Sequence, residues 1–178
     1  MNYIVLDLEA TCWRGKPPHG INEIIEVGAV KINQYGEVKG FFSKLIKPVV
    51  NPRLSSFCTK LTGIKQEQVD VADKYEKVIT EFMEFVEVGQ EDYTLYSWGN
   101  NDKGMLISNC ELHNLESEWL EPFVDMHKIY VKMNGGKKKS GLKYIVENEG
   151  FEFEGDQHSA YIDAYNLGKF LLKYMNVK

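Results

Sequence analysis

The sequence predicts an α/β fold in which helices flank a mixed five-stranded sheet, an antiparallel meander followed by parallel strands. Three observations lead to this prediction. The first third of the chain carries three β-rich segments, the rest alternates short apolar runs with helical periodicity, and no apolar run approaches the roughly 20 residues of a membrane span. The chain has 178 residues, a length that fits one domain covering residues 1–178.

The strands are predicted from β-branched and apolar runs bounded by turn residues. Tyr3–Leu8 is a short apolar strand, and Glu23–Ile32 is apolar enough to lie at the centre of a sheet. Beyond a turn at Asn33–Gly36, Glu37–Ile46 alternates between apolar and polar residues, as a more exposed strand does. Two further strands are predicted at Tyr93–Ser97 and Pro122–Val124.

Four helices are predicted from caps and from apolar residues at helical spacing. Asp73 is expected to cap a helix with the apolar positions Val78, Phe82, Phe85 and Val86. Asp102 leads into a second helix, which carries Met105, Leu106 and Cys110. The other two are a helix capped by Ser140 and ended by Gly150, and a last helix from about Ser159 to Tyr174.

Composition narrows the class of protein. Hydrophobic residues make up 43% and charged residues 26%, which is ordinary for a soluble globular protein. The three cysteines and the absence of a signal-peptide pattern predict a reducing, cytoplasmic compartment. The net charge of −5 argues against bulk electrostatic binding of nucleic acid. That argument weakens if several acids carry divalent cations.

Two acids end the first strand. Because alternate residues of a strand point to the same side, Asp7 and Glu9 leave one face together. Two carboxylates projecting from a core strand repel each other and lose hydration unless positive charge joins them. Divalent cations would supply that charge. The alternative is that the strand simply ends here and both acids are solvated.

Two more acids accompany apolar elements. Asp102 follows the fourth strand and Trp98, at the edge of an α/β sheet where ligands bind; the alternative is a helix N-cap. Asp163 lies three residues after Ala160 and four before Leu167, so it falls on or beside the apolar stripe of the last helix. A carboxylate in that position needs a partner or a metal.

His158 stands just before the last helix, where a loop could place its imidazole over the same acids. A histidine in that position is usually a surface residue or a cap. Beside an inward-facing acid it is a candidate general base, because imidazole accepts a proton near neutral pH.

The acids are more informative as a set. Asp7, Glu9, Asp102 and Asp163 offer four oxygen ligands, which suit Mg²⁺ or Mn²⁺ rather than zinc. Two such ions about 4 Å apart can bind both the attacking and the leaving oxygen of a phosphodiester. The set therefore predicts metal-dependent phosphodiester hydrolysis.

Three segments form a set of motifs: Asp7–Cys12, Trp98–Asp102 and His158–Asp163. In order and separation they resemble the motifs of a known family, the DEDDh (DnaQ-like) 3′–5′ exonucleases. The likeness is closer to the branch that trims histone messenger RNA, ribosomal RNA and small RNAs, with bacterial sporulation-inhibitor-like relatives. It extends to Glu23–Val30, Asn51–Cys58 and Leu61–Ile64. Ser159 stands where the tyrosine subclass of the family has Tyr.

The resemblance implies a ribonuclease H-like fold and a concrete activity. Nucleoside 5′-monophosphates would be released from the 3′ end of single-stranded RNA or DNA. Two Mg²⁺ or Mn²⁺ ions would be held by the four acids Asp7, Glu9, Asp102 and Asp163, and His158 would deprotonate the attacking water.

The resemblance also implies substrate contacts. Phe57 and Trp98 match positions that stack the terminal base, although core packing is the alternative for both. Thr11 is placed to hydrogen-bond the terminal ribose. The basic loop Gly135–Lys139 either steers the phosphate backbone or is simply solvated. Gln157 departs from the basic or small residue that the family often has before the catalytic His.

Two other functions compete with the exonuclease. One is a regulatory protein that keeps the fold and inhibits a protein partner without catalysis, and such a partner is left open. The other is an endonuclease of the same fold, which should lack the arrangement of His158 and Asp163. No membrane partner is expected.

Overall fold

The computed structural model describes residues 1–135 and 141–175. Its five strands are Asn2–Ala10 (β1), Ile24–Asn33 (β2), Val38–Leu45 (β3), Tyr93–Ser97 (β4) and Phe123–Asp125 (β5). They form one sheet in the order β3-β2-β1-β4-β5. β1 pairs antiparallel with β2, and β2 with β3, whereas β1 and β4, and β4 and β5, run parallel. The predicted mixed sheet is therefore confirmed.

Burial along the strands follows from their places in the sheet. β2 is buried over almost its whole length because it lies between β1 and β3 and is covered by helices. β3 is an edge strand, and its outward residues Val38 and Phe41 are 45% and 52% exposed. The apolar and alternating patterns of these two strands predicted that difference.

Helices cover both faces of the sheet. The helices are α1 (Ser56–Thr62), α2 (Gln66–Asp70), α3 (Tyr75–Val86), α4 (Asn101–Leu112), α5 (Met126–Met133), α6 (Leu142–Asn148) and α7 (Ala160–Met175). On one face of the sheet, Ile4, Leu6 and Leu8 pack in a core with residues of α3 and α4. On the other face, Val5, Val30 and Ile32 pack with α5, α6 and α7.

The N-caps predicted at Asp73 and Ser140 have different outcomes. Asp73 does not cap α3, because the N-cap position is Lys74. The backbone of Asp73 instead pairs with Ile46, and its carbonyl accepts the N–H of Lys47 at 2.9 Å, which delays the helix by one residue. Its side chain forms an ion pair with Lys77 at 2.8 Å. The predicted cap Ser140 lies outside the described residues, and α6 follows Gly141.

The last two predicted helices lie close to their expected places, whereas α1, α2 and α5 were not predicted. These three helices have at most eight residues, too few turns for a clear apolar periodicity. Within the described ranges, no helix combines the length and the apolar character needed to cross a bilayer.

Candidate active site

The site lies at the end of β1 and faces α7. Asp7 and Glu9 share the face of β1 that carries Val5, and Val5 packs in the core formed with α7. Glu9 is 9% exposed, and Asp7 is half-buried. The alternative that both acids are solvated is therefore wrong.

The first turn of α7 brings Asp163 to the same place. The backbone N–H of Ala160 donates to Glu26 Oε2 at 3.1 Å, which attaches the start of the helix to β2. Asp163 then lies one turn further on and is 8% exposed. Its predicted position on the inward face of the last helix is confirmed.

Gly28 makes this close approach possible. A Cβ atom at Gly28 would lie 2.1 Å from both Ala160 C and Tyr161 N, so α7 packs where any other residue would place a side chain. Gly28 is paired in register with Asp7. Because Gly28 has no side chain, the helix that carries Asp163 lies directly beside the part of the sheet that carries Asp7.

Asp102 comes from the opposite face of the sheet. It lies in the first turn of α4, whose N-cap residue is Asn100, so Asp102 is not the N-cap. It is 7% exposed. Since β4 runs parallel to β1, the residues that follow β4 reach the same edge of the sheet as Asp7 and Glu9.

Burial raises the pKa of all four acids, and repulsion within the cluster adds to the rise at Asp7 and Glu9. The pKa of Asp7 is raised well above its ordinary value, first by burial and then by the charges of the neighbouring acids, Asp102 foremost. Burial, followed by the same kind of repulsion, raises the pKa of Glu9 to about 8. Burial also raises the pKa of Asp102 to about 6, and contact with the Ser97 hydroxyl opposes part of that rise.

Asp163 differs in having a partner that opposes its protonation. Burial raises its pKa, whereas the backbone N–H and the side chain of His158 favour the charged form. That N–H donates to Asp163 Oδ2 at 3.1 Å. His158 has a positive φ of 67°, a left-handed conformation that turns the chain sharply before α7.

The turn places the exposed imidazole of His158 at the rim of the acid cluster. One potential ligand atom from each of Glu9, His158 and Asp163 lies within 4.8 Å of the other two. The predicted proximity of His158 to the acids is therefore confirmed, and its role as a base remains a prediction.

The cluster fits divalent cations by its chemistry. Among the described residues, the buried Oδ1 of Asp163 is one of the side-chain oxygens that have no hydrogen-bond partner. Such an atom is costly to bury unless a cation or a donor reaches it. Several carboxyl groups with raised pKa values surround it, so they hold their protons until a cation displaces them, and together they offer the oxygen donors that hard cations require.

The surroundings of Thr11 do not match its predicted contact with the terminal ribose. The structure buries it completely, and its Oγ1 accepts the backbone N–H of Glu23 at 2.9 Å. The sequence placed Thr11 near the acids, which is right, but its hydroxyl is used to join the end of β1 to the start of β2. It has no exposed surface with which to contact a ribose.

Trp98 and Phe57 have different surroundings. Trp98 is half-buried, and its ring lies 6.1 Å from that of Tyr130 and 5.8 Å from that of Phe170, so core packing accounts for much of its surface. Its remaining surface lines a pocket with Asp125 and His127. Phe57 is half-buried on α1 and lines a separate pocket. Neither environment tests base stacking, which stays a prediction.

Sequence reasoning missed the role of Glu26. It is 8% exposed, opposes Glu9 in the β1–β2 register and adds its charge to the cluster. Burial raises its pKa, whereas the bond from Ala160 lowers it. An acid in the middle of an almost entirely apolar strand was the available signal.

Glu23, three residues before Glu26, has a structural role. It is 2% exposed, and its carboxylate accepts the backbone N–H groups of Val49, Val50 and Asn51 at 2.5–2.9 Å. The predicted basic loop Gly135–Lys139 lies outside the described residues except for Gly135.

The acid cluster predicts that the metal-free protein loses stability as pH rises. The pKa of Glu9 is about 8 in the folded chain against an ordinary 4.5, so between these values the folded state binds more protons than the unfolded state. Stability is then lost as pH rises through that window. Thermal unfolding in chelator should show a falling Tm from about pH 5 to about pH 8.

Added Mg²⁺ or Mn²⁺ should raise the Tm most at the alkaline end, because cations bind the folded, deprotonated cluster. Glu9→Gln should flatten the pH slope, whereas Glu67→Gln, an exposed acid on α2, should leave it unchanged. A Tm in chelator that does not vary with pH would contradict a buried charge cluster.

Comparison with known proteins agrees with this geometry. The RNase_T family model, described as exonuclease, matches residues 4–171. The chain is 29% identical over 179 residues to human 3′-5′ exoribonuclease 1, covering 96% of this chain and 51% of that protein. It thus spans about half the length of that relative.

Solved structures show the same similarity. The nuclease domain of 3′hExo, a DEDDh family member bound to rAMP, superposes with a TM-score of 0.89 and 29% identity, covering 99% of this chain and 92% of that one. A 3′-exonuclease solved for 3′-end specific recognition of the histone mRNA stem-loop gives a TM-score of 0.90 and 26% identity, covering 99% of this chain and 82% of that one.

Proposed function

Because this chain belongs to the exonuclease family of the RNase_T model, we propose that it is a 3′–5′ exonuclease acting on single-stranded RNA. It removes one nucleotide at a time by hydrolysing the terminal phosphodiester, and its products are nucleoside 5′-monophosphates. The relatives named 3′-5′ exoribonuclease 1 support RNA as the substrate class.

One observation carries the proposal. Four acids from β1, α4 and α7 converge at one end of the sheet, and each perturbs the protonation of the others or is perturbed by burial there. Such a concentration of buried negative charge destabilises a fold unless cations occupy it. Perturbed acids gathered in this way are typical of functional sites.

Asp7, Glu9, Asp102 and Asp163 would hold two Mg²⁺ or Mn²⁺ ions. When bound, such ions stabilise the negative charge that develops on the phosphodiester and help to position the attacking water. Glu26 acts through α7: its bond to the N–H of Ala160 keeps the helix that carries Asp163 in place.

His158 would accept the proton of the attacking water. Its ring is exposed to solvent and lies beside Glu9 and Asp163. The bond from its backbone N–H to Asp163 Oδ2 couples the position of this loop to a metal-binding acid.

The direct test uses an RNA oligomer labelled at its 5′ end, incubated with Mg²⁺ or Mn²⁺. We expect a ladder that shortens from the 3′ end and loss of activity when the 3′ hydroxyl is blocked. Cleavage of a circular RNA would favour an endonuclease. Tight RNA or protein binding without release of mononucleotides would favour the regulatory protein.

His158→Asn should separate catalysis from metal binding. Asn tolerates the left-handed backbone at this position but cannot accept the proton, so kcat should fall by about 10²–10⁴-fold. The increase in Tm on adding Mn²⁺ should be retained, because the four acids are intact. His19→Ala, an exposed histidine in the β1–β2 connection, is the matched control and should keep its kcat. Unchanged kcat in His158→Asn would exclude the proposed base.

A further inference from the structure

A second pocket opens beside the acid cluster, between the segment that follows β1 and the start of α1. Its lining includes two aromatic and two cationic side chains, and consists of Trp13, Arg14, Ser55, Ser56, Phe57 and Lys60. None of these residues belongs to the acid cluster, and Phe57 is the one that the family resemblance places against the terminal base.

The charge of this pocket is opposite to that of the acid cluster. Arg14 and Lys60 are both exposed. Within residues 1–135 and 141–175, neither of them forms a salt bridge, whereas Lys31, Lys44 and Lys169 do. In a chain with a net charge of −5, two unpaired cations beside half-buried aromatic rings are suited to an anionic ligand that carries flat rings.

The walls of the pocket are held together by buried bonds. Ser55 Oγ donates to the carbonyl of Cys12 at 2.5 Å, which fixes the residue before Trp13 to the start of α1. Cys58 Sγ donates to the carbonyl of Ala10 at 3.5 Å from the same helix. Because both sides are tied to each other, the pocket exists before a ligand enters.

The pocket is also close to the acids. Trp13 is four residues after Glu9, which limits their Cα separation to about 14 Å for extended chain. Cys12 is near enough to Glu9 for that charge to contribute to the raised pKa of its thiol, although burial is the larger cause. A strand with a phosphodiester at the acids therefore reaches the pocket within one or two nucleotides.

We propose that this pocket binds the nucleotide on the 5′ side of the scissile phosphodiester. The base of that nucleotide stacks on Trp13, and its phosphate contacts Arg14 and Lys60. The assignment deepens and rests on the proposed exonuclease function. It makes the pocket a binding site for the strand that remains after each cleavage, so its loss should affect binding of oligomers more than the chemical step.

The test compares a long and a minimal substrate. The p-nitrophenyl ester of thymidine 5′-monophosphate presents a terminal nucleotide but has no nucleotide on the 5′ side. Trp13→Ala should raise KM for a single-stranded RNA oligomer by roughly tenfold, from the value of one stacked base. Hydrolysis of the ester should stay within about twofold of wild type, because the variant leaves the acids intact.

A charge variant covers the case in which Trp13→Ala does not fold. Arg14→Glu with Lys60→Glu changes two exposed side chains, should raise the oligomer KM by a similar factor, and should reduce the salt dependence of binding by one or two phosphate contacts. Tyr35→Ala, in the β2–β3 turn, and Lys39→Glu, at the start of β3, change exposed residues at the other end of the sheet. They are the matched controls, and the KM for each substrate should stay at the wild-type value.

Two results would overturn the assignment. One is an unchanged oligomer KM in both variants. The other is an equal rise in KM for the ester and for the oligomer, which would place the pocket at the terminal nucleotide. If wild type cleaves neither substrate, the exonuclease proposal fails separately. In that case, fluorescence anisotropy of a labelled oligomer tests whether the pocket binds nucleic acid. Wild-type affinity in both Trp13→Ala and the charge variant would exclude such binding.

Discussion

Replacing Asp7 with asparagine is expected to lower exonuclease activity by at least about 10³-fold while leaving a folded protein. If Asp7 holds metal as proposed, its loss should remove several kcal/mol of charge stabilisation in the transition state, and each 1.36 kcal/mol corresponds to a factor of ten. Asparagine has almost the same shape as aspartate, so β1 and its pairing with β2 should persist.

The same variant should be more stable than wild type when metal is absent. Burial and the neighbouring acids Asp102, Asp163 and Glu9 raise the pKa of Asp7. In chelator the ionised form of Asp7 is therefore less favourable in the folded state than in the unfolded state, which lowers stability. Removing that charge should raise the Tm at about pH 8 and reduce the further increase that Mn²⁺ produces. Lower activity together with higher metal-free stability is a combination that simple unfolding cannot produce.

Both effects are measured on one preparation, by release of mononucleotides and by thermal unfolding with and without chelator. Asp92→Asn, an exposed acid before β4, is the matched control and should change neither quantity. Wild-type activity in Asp7→Asn would remove Asp7 from the metal site. A lower metal-free Tm would show that the acid stabilises the fold instead of opposing it.

The second large effect is expected from Gly28→Ala, a change of one methyl group. The added Cβ would lie 2.1 Å from backbone atoms of Ala160 and Tyr161, which cannot move without shifting the start of α7. The cost should reach about 3 kcal/mol, the upper end for an overpacked core. For a domain of this size that corresponds to a Tm lower by about 10 °C.

Activity should fall further than stability alone requires. A shift of α7 moves Asp163 and the His158 loop and weakens the bond between Ala160 and Glu26. A displacement of about 1 Å in a catalytic group can cost 10²-fold in rate. We therefore expect a loss of about 10²-fold well below the Tm of the variant, in assays of mononucleotide release.

Gly104→Ala is the matched control. Gly104 lies in α4, and a Cβ there would meet no atom within 4 Å. Alanine should therefore stabilise the helix by about 0.5–1 kcal/mol. If Gly28→Ala behaves like Gly104→Ala, the close contact between β2 and α7 is absent from the protein in solution.

Local periodicity in the sequence determined most of the fold and three of the site acids. Strands of period two place Asp7 and Glu9 on one face, and the helical period places Asp163 beside Leu167 on the inward face of α7. Both rules depend only on residues a few positions apart. For that reason they could be applied before any contact between distant segments was known.

The tertiary structure alone decided the contacts between distant segments. Glu26 accepts a hydrogen bond from the N–H of Ala160, which is 134 residues away along the chain. Gly28 is needed because α7 packs directly against its backbone. The sequence placed Thr11 as a substrate contact, but its hydroxyl accepts the backbone N–H of Glu23, just before β2. Sequence patterns describe which way a side chain leaves its own element. They do not describe what the rest of the chain places opposite, because that depends on packing.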